Sequence, residues 1–380
     1  MLFLLITFLL VLVYQLRFLR LVTSSIREKE GKQEDCPPVS VLLYVDDCND
    51  TLPEMLRALS DQDYPAFEVI VVNNDRDKDT EALLNHFAAE HRNFYHTYIP
   101  RDARYLSRKK LALTLAVKAA HYDHFLLLET DCLPTSRHWI YAMMQSYQEQ
   151  TEIVLGYCVY PFNNGITQKL IAYANLTDGM SYLSSALASR FYRGNGRNLS
   201  YTRAIFEKAQ GFRRHLNLVA GDDDLFVHEA AREGNTAVSL APDSFTRRRE
   251  PLTRAAWRQE NLTHAVSAQH VRGVLPVLLR LEPFVCAIFW VTAIYGIAHL
   301  VQDWKLPVLA FVLFLVYYGI KAWIYRRASA LFRTPLNPFL LPLLDVLNIV
   351  EHITLLLHYP FAKRSNYIFW VDRRKKERKE

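Results

Sequence analysis

A chain of 380 residues, 51% hydrophobic and with a net charge of +6, has room for one full α/β domain plus membrane segments, not for two large soluble domains. Its five cysteines include no C-x-x-C pair, which argues against a disulfide framework or a zinc site and points to a reducing, cytosolic setting. The basic residues cluster beside apolar stretches, so an anionic membrane surface, and not nucleic acid, is the partner they fit.

Met1 to Leu16 is almost wholly apolar and is followed by Arg17, Arg20, Arg27 and Lys29. A signal peptide carries its charges ahead of the apolar core, so residues 1–24 read instead as a transmembrane anchor with its carboxyl side in the cytosol. The run is slightly shorter than the ~20 residues that span a bilayer, a gap Arg17 and Arg20 can close by snorkelling. Residues 25–37 form a polar linker. The sequons at Asn175, Asn198 and Asn261 are chance matches if the domain faces the cytosol.

Val39 to Val45 reads as a strand, and Thr51 with Glu54 has the form of a capping box before Leu52, Met55, Leu56 and Leu59 at helical spacing. Phe67 to Val72 is a second strand, Glu81 to Glu90 a helix, Tyr95 to Ile99 a third strand and Lys109 to Ala120 a helix. This alternation implies a mostly parallel, doubly wound sheet. Neither G-x-G-x-x-G nor a P-loop is present.

The next strand, Phe125 to Leu128, is a continuous apolar run that stops at Glu129-Thr130-Asp131. Ligands of an open α/β sheet bind beyond the carboxyl ends of its strands. Side chains at i and i+2 share a face while the chain is extended, so Glu129 and Asp131 can converge on one cation. Two hard oxygen ligands suit Mg²⁺ or Mn²⁺, with substrate phosphates supplying the rest. The plainer alternative is an acidic turn that closes a strand.

Beyond Pro134 the reading gives a helix over Ser136 to Gln150, a strand over Ile153 to Tyr160 and a long helix over Ile166 to Ala188. A short strand to Tyr201, a helix over Asp224 to Glu233 and a strand over Thr236 to Leu240 follow. Pro283 to Val301 and Leu306 to Tyr325 are long enough to cross a bilayer. Pro338 to Leu357 carries Asp345, Asn348, Glu351 and His352, and crossing there would put the basic tail outside. A re-entrant or interfacial hairpin is therefore the expectation for that segment. The domains are then 38–250 catalytic, 251–274 interfacial and amphipathic, 275–360 transmembrane or re-entrant, and 361–380 a basic cytosolic tail.

Five features in this order resemble the membrane-bound family 2 glycosyltransferases, which have the GT-A fold. They are Val39 to Leu43, Gln62-Asp63-Tyr64-Pro65 running into Phe67 to Val72, Glu129-Thr130-Asp131, Gly194-Asn195-Gly196-Arg197-Asn198, and Gly221-Asp222-Asp223-Asp224. The resemblance implies a nucleotide-sugar donor and a divalent metal, Mg²⁺ or Mn²⁺. By it, Asp131 is the metal anchor with Glu129, and Lys110 lies at the donor phosphates, with Lys109 or Arg104 able to share the task. Asp223 matches the family's base, and a shift of register by one would move that role to Asp222 or Asp224. The alternative for these carboxylates is capping of the helix that follows. Gly194 and Gly196 would let backbone approach a sugar, with Arg197 and Asn198 hydrogen-bonding the acceptor. Gln259 stands in a motif from which the family's Arg and Trp are missing; an ordinary amphipathic helix explains that segment as well.

Two strand ends depart from the family pattern. Asp46, Asp47 and Cys48 occupy the first, and Asn73-Asn74 replace paired aspartates at the second, with Asp75 adjacent. Asp47, Asn74 and Asp75 thus remain the donor-binding candidates there, while the sugar and base are left open. The expected activity is inverting, metal-dependent transfer to a lipid-linked or glycan acceptor at the cytosolic face of the cell membrane. The alternative is a non-catalytic GT-A-like scaffold subunit of a polysaccharide-assembly complex. Oligomeric state is not legible.

Overall fold

A computed structural model of the protein describes residues 1–24, 36–46, 51–74, 78–99, 107–163, 165–298 and 304–359. The chain forms two compact units: residues 26–161 with 186–271, and residues 1–25 with 162–185 and 272–361. Two helices, α1 (Leu2–Leu16) and α2 (Leu19–Thr23), open the chain and belong to the second unit.

The first unit begins with β1 (Val39–Val45), α3 (Thr51–Ser60), β2 (Phe67–Asn73), α4 (Lys78–Glu90), β3 (Phe94–Tyr98), α5 (Arg108–Ala119) and β4 (His124–Glu129). Their apolar runs are buried on both faces: Val41 to Leu43, Val69 to Val72 and Phe125 to Leu128 are all at most 3% exposed, as parallel strands covered by helices should be. β1 pairs in parallel with β2 on one side and β4 on the other, and β2 pairs in parallel with β3. The chain therefore reverses its direction of travel across the sheet at β1 and β4. That switch point opens a crevice beyond the strands' carboxyl ends, where Glu129 sits opposite Tyr44.

The remaining half is mixed. After β5 (Cys132–Pro134) and α6 (Trp139–Met144) come β6 (Ile153–Leu155), β7 (Cys158–Val159), α7 (Ile166–Leu187), β8 (Leu199–Thr202) and α8 (Arg203–Lys208). Then follow α9 (Asp224–Ala230), β9 (Thr236–Val238), β10 (Thr246–Arg248) and α10 (Arg254–Ala268). The main sheet has seven strands in the order β3-β2-β1-β4-β8-β6-β9, with only the β4–β8 and β8–β6 ladders antiparallel. A second sheet, β5-β10-β7, was not expected from the sequence.

The single strand expected over Ile153 to Tyr160 is in fact two, assigned to different sheets. Gly156 lies between the two, where a Cβ would stand 2.5 Å from the Asn198 side chain. The helix expected over Ser136 to Gln150 shrinks to Trp139–Met144.

The second unit is helical. α11 (Val274–Ala298), α12 (Lys305–Leu331) and α13 (Leu341–His358) follow α10. Three helices, spanning Val274–Ala298, Lys305–Leu331 and Pro338–His358, are long and apolar enough to cross a membrane. α1, at 15 residues, covers only about 22 Å. It is tied to α11 by Arg17–Glu282 at 2.6 Å, by Tyr14 donating to the Leu278 carbonyl at 2.8 Å, and by the Phe8–Phe289 ring contact.

Candidate active site

At the end of β4, Glu129 accepts from Lys109 Nζ through Oε1 at 2.6 Å and meets Arg197 Nη2 through Oε2 at 3.2 Å. Asp131, past the strand end, meets Arg197 Nη2 at 3.1 Å and Arg248 Nη2 at 2.9 Å. Lys109, near the start of α5, also pairs with Asp222 Oδ2 at 2.8 Å. One ammonium thus joins two carboxylates that are 93 positions apart in sequence.

Gly196 marks where the acidic clusters converge. Its N–H donates to Asp223 Oδ2 at 2.9 Å. An added Cβ would stand 3.2 Å from Glu129 Oε1, 3.4 Å from Asp223 Oδ2 and 3.5 Å from Asp222 Oδ2. Only glycine leaves that point open. The other oxygen of Asp223 caps α9, accepting from the Asp224 N–H at 2.7 Å. Asp224 itself turns elsewhere, to Arg193 at 3.1 Å and His264 Nδ1 at 3.0 Å. An open cleft of about 210 Å³ lies over this floor, lined by Tyr44, Asp46, Lys109, Glu129, Asp131 and Gly196 among others.

Electrostatics follow from burial and pairing. Burial pushes the Glu129 carboxyl up, but Arg197 and Lys109 outweigh it and hold its pKa well below the usual carboxylate range. Asp131 is lowered too: burial and Glu129 act against this, and Arg197 and Arg248 prevail. Asp222 goes the other way, raised by burial and by Asp223 despite Lys109. Burial disfavours the charge on Lys109, yet Asp222 and Glu129 raise its pKa above the ordinary value.

Several expected residues take other places. Lys110 does not face the cleft: fully buried, its ammonium donates to the carbonyls of His215 (2.7 Å), Leu218 (3.1 Å) and Ala220 (2.6 Å). Three acceptors use all three of its N–H groups, so it braces the loop before Asp222, and Lys109 is the lysine in the cleft. Burial lowers the Lys110 pKa to about 8. Asn198 is likewise structural. Its amide donates to the carbonyls of Tyr157 (2.9 Å) and Ser244 (2.7 Å) and accepts from Trp139 Nε1 (3.2 Å), with no exposed surface left for an acceptor.

Arg197 turns toward Glu129 and Asp131. Gln259 is exposed on α10, and the next residue, Glu260, enters the cluster instead. Asn74 bonds Asp46 and Arg108 at the end of β2, within the first unit. Asp47, Asp75 and Arg104 lie outside the described residues.

The sequence reading missed Arg248, Glu260 and Tyr160. Arg248 and Glu260 meet at 2.9 Å, and the Tyr160 ring lies 5.4 Å from the Arg248 guanidinium and 5.9 Å from that of Arg197. Nothing in Thr246-Arg247-Arg248 singled out Arg248 in the sequence: only the strand's burial, with Thr246 and Arg248 buried and Arg247 exposed, tells the two arginines apart.

No curated protein matches the sequence. Among solved structures, the mannosyltransferase PcManGT from Pyrobaculum calidifontis, in complex with GDP-Man and Mn²⁺, matches with a TM-score of 0.57 and 16% identity over 94% of this chain and 96% of that one. S. aureus TarS in complex with UDP-GlcNAc matches with a TM-score of 0.43 and 14% identity, over 86% of this chain and 92% of that one. The first likeness shows a shared fold. The description of glycosyl transferase family 21 matches residues 3–368, nearly the whole chain. Its number differs from the family 2 resemblance in the sequence, and sugar transfer is common to both. The chain is a glycosyltransferase and belongs to family 21.

Proposed function

We propose that the protein moves a sugar from a nucleotide-diphosphate donor to a hydroxyl of a membrane-associated acceptor, with inversion and with the aid of a divalent cation. The observation that carries this reading is the meeting of the two acidic clusters at Gly196. A relative of the same fold holds GDP-Man and Mn²⁺, which supports a nucleotide-sugar donor and a metal here.

The residues fit such an ion by charge. Five carboxylates, of Glu129, Asp131, Asp222, Asp223 and Glu260, face three cations, Lys109, Arg197 and Arg248, while Asp224 is matched by Arg193. The carboxylates thus outnumber the cations that pair with them directly, a balance that a divalent ion would ease. Among the described residues no group of three His, Cys, Asp or Glu stands ready to ligate alone, so Asp131 and Glu129 would hold the ion together with donor phosphates. Bound there, it would neutralise charge on the departing nucleoside diphosphate.

The rest falls to the chain. Lys109, Arg197 and Arg248 face the developing charge of the diphosphate as the sugar–phosphate bond breaks. Asp223, fixed by the N–H groups of Gly196 and Asp224, takes the acceptor proton as the hydroxyl oxygen attacks the anomeric carbon. One displacement from the face opposite the leaving group inverts that carbon. Asp222 holds Lys109 against Glu129 beside it. Arg17 and Arg20 after α1 and Arg326 and Arg327 near the end of α12 support a cytosolic setting for the connected catalytic unit. The apolar helices support an acceptor delivered from the membrane.

The test is a panel of nucleotide-sugars with Mn²⁺, scored by nucleoside diphosphate release and lipid-product mass. Asp223→Asn should retain donor binding and lose about 10²–10⁴-fold in turnover, whereas Asp131→Asn should lose metal-dependent donor binding. Full turnover by Asp223→Asn would remove the base assignment. Turnover by none of the panel, with donor binding intact, would favour the scaffold alternative.

A further inference from the structure

The arginines over Asp131 have more acceptors than one geometry can serve. Arg197 Nη2 lies 3.2 Å from Glu129 Oε2, 3.1 Å from Asp131 Oδ2 and 3.2 Å from Glu260 Oε1. A terminal guanidinium nitrogen carries two hydrogens, so three carboxylates compete for two donors. Arg248 is shared in the same way, Nη2 with Asp131 Oδ2 at 2.9 Å and Nη1 with Glu260 Oε1 at 2.9 Å. Its Nε is buried and has no hydrogen-bond acceptor among the described residues.

Glu260 differs from the other acceptors in origin. Glu129 and Asp131 lie at the end of β4, whereas Glu260 comes from α10, a separate element, and meets both guanidiniums. α10 is pinned beside it by His264 on Asp224 at 3.0 Å and by buried Trp257.

We propose that Glu260 is a positioning residue, whose carboxylate draws Arg197 and Arg248 partly away from Asp131 and Glu129. Those two carboxylates are thereby left able to take a divalent cation, and both guanidiniums stay at the cleft for the donor's diphosphate. The proposal rests on the metal-dependent reading above and deepens it. Arg197 already meets Asp131 through both Nε (3.3 Å) and Nη2 (3.1 Å) while sharing Nη2 with Glu260. A guanidinium that loses Glu260 has only Asp131 and Glu129 left, and the undivided charge-assisted pairing there competes more strongly with a metal.

The experiment measures Mn²⁺ binding by the full-length protein in detergent, from the spin-resonance signal of the free ion. GDP or UDP at one fixed concentration supplies the phosphates, and the signal of the same nucleotide without protein is subtracted. Glu260→Gln should weaken Mn²⁺ about tenfold or more, the scale of losses when the residues that orient metal ligands are changed. Glu260→Asp keeps the charge but is one methylene too short to hold both guanidiniums, and should weaken Mn²⁺ to a similar extent. If the Asp variant binds like wild type while the Gln variant does not, distant charge alone matters and the proposal is overturned. A Gln variant within twofold of wild type overturns it as well.

Should the Glu260 variants fail to fold, Arg248→Gln removes one competitor and should tighten Mn²⁺; weaker binding there also defeats the idea. Failure of the metal reading itself looks different. Wild type and Asp131→Asn would then bind Mn²⁺ equally poorly, and the Glu260 role would fall with it.

Discussion

The loop that presents Asp222 is braced by two buried side chains, Lys110 and His215. His215 Nε2 lies 3.0 Å from the Gly221 carbonyl, which can only accept, so that nitrogen carries the hydrogen. Burial, and then the neighbouring Lys110 charge, push its pKa down from 6.5 to about 4. A depressed folded-state pKa means the unfolded chain binds the proton first as pH falls. Stability from this group is therefore complete above about pH 6.5 and drains away toward pH 4, by up to about 3 kcal/mol. His215→Gln keeps a donor for Gly221 and removes the titration. The midpoint of thermal unfolding should fall less steeply with acid in that variant, and equal slopes would clear His215 of the role. The acidic residues of this region were legible because runs such as Asp222 to Asp224 are rare and chemically costly. Which of two adjacent lysines faces them was not, since Lys109 and Lys110 differ only in rotation about α5. That choice is made by a loop more than a hundred residues downstream.

At the scale of elements, the parallel half of the sheet was readable because each strand is an apolar run of ordinary length bounded by turn residues. The second sheet was hidden for the opposite reason. β5, β7 and β10 have only two or three residues each, too few to show a period. Their burial comes from long-range partners such as Asn198, whose amide holds Tyr157 and Ser244 together. Gly156 sits at the change of sheets with the Asn198 amide packed against its Cα, which gives a direct test. Gly156→Ala inserts a methyl 2.5 Å from atoms that are themselves fully bonded, so neither side can yield cheaply. Overpacking of this kind costs about 1–3 kcal/mol. Thermal unfolding should register that loss, together with weaker donor binding, because Arg197 precedes Asn198. An Ala variant as stable as wild type would mean that this contact relaxes freely.

For the whole molecule, the question is how charged residues live in a helical unit with three membrane-length apolar helices. The sequence reading expected Pro338 to Leu357 to re-enter because Asp345 and Glu351 are expensive in hydrocarbon. In the structure both are buried, at 7% and 5% exposure. The outer side of α13 carries Leu343, Val346, Val350, Ile353 and Leu357. Asp345 accepts from Lys321 Nζ at 2.5 Å, from Tyr318 at 2.8 Å and from Tyr173, so its cost is met by partners that lie far off in sequence. Breaking one side of such a pair leaves an uncompensated buried charge, worth about 3–5 kcal/mol, whereas replacing both sides costs far less. Lys321→Met should thus destabilise the protein strongly, and Asp345→Leu likewise. The double variant should be more stable than the sum of the two losses predicts, by at least about 1 kcal/mol. Strict additivity in detergent unfolding would show that α12 and α13 are held by apolar packing alone, with the ion pair a passenger.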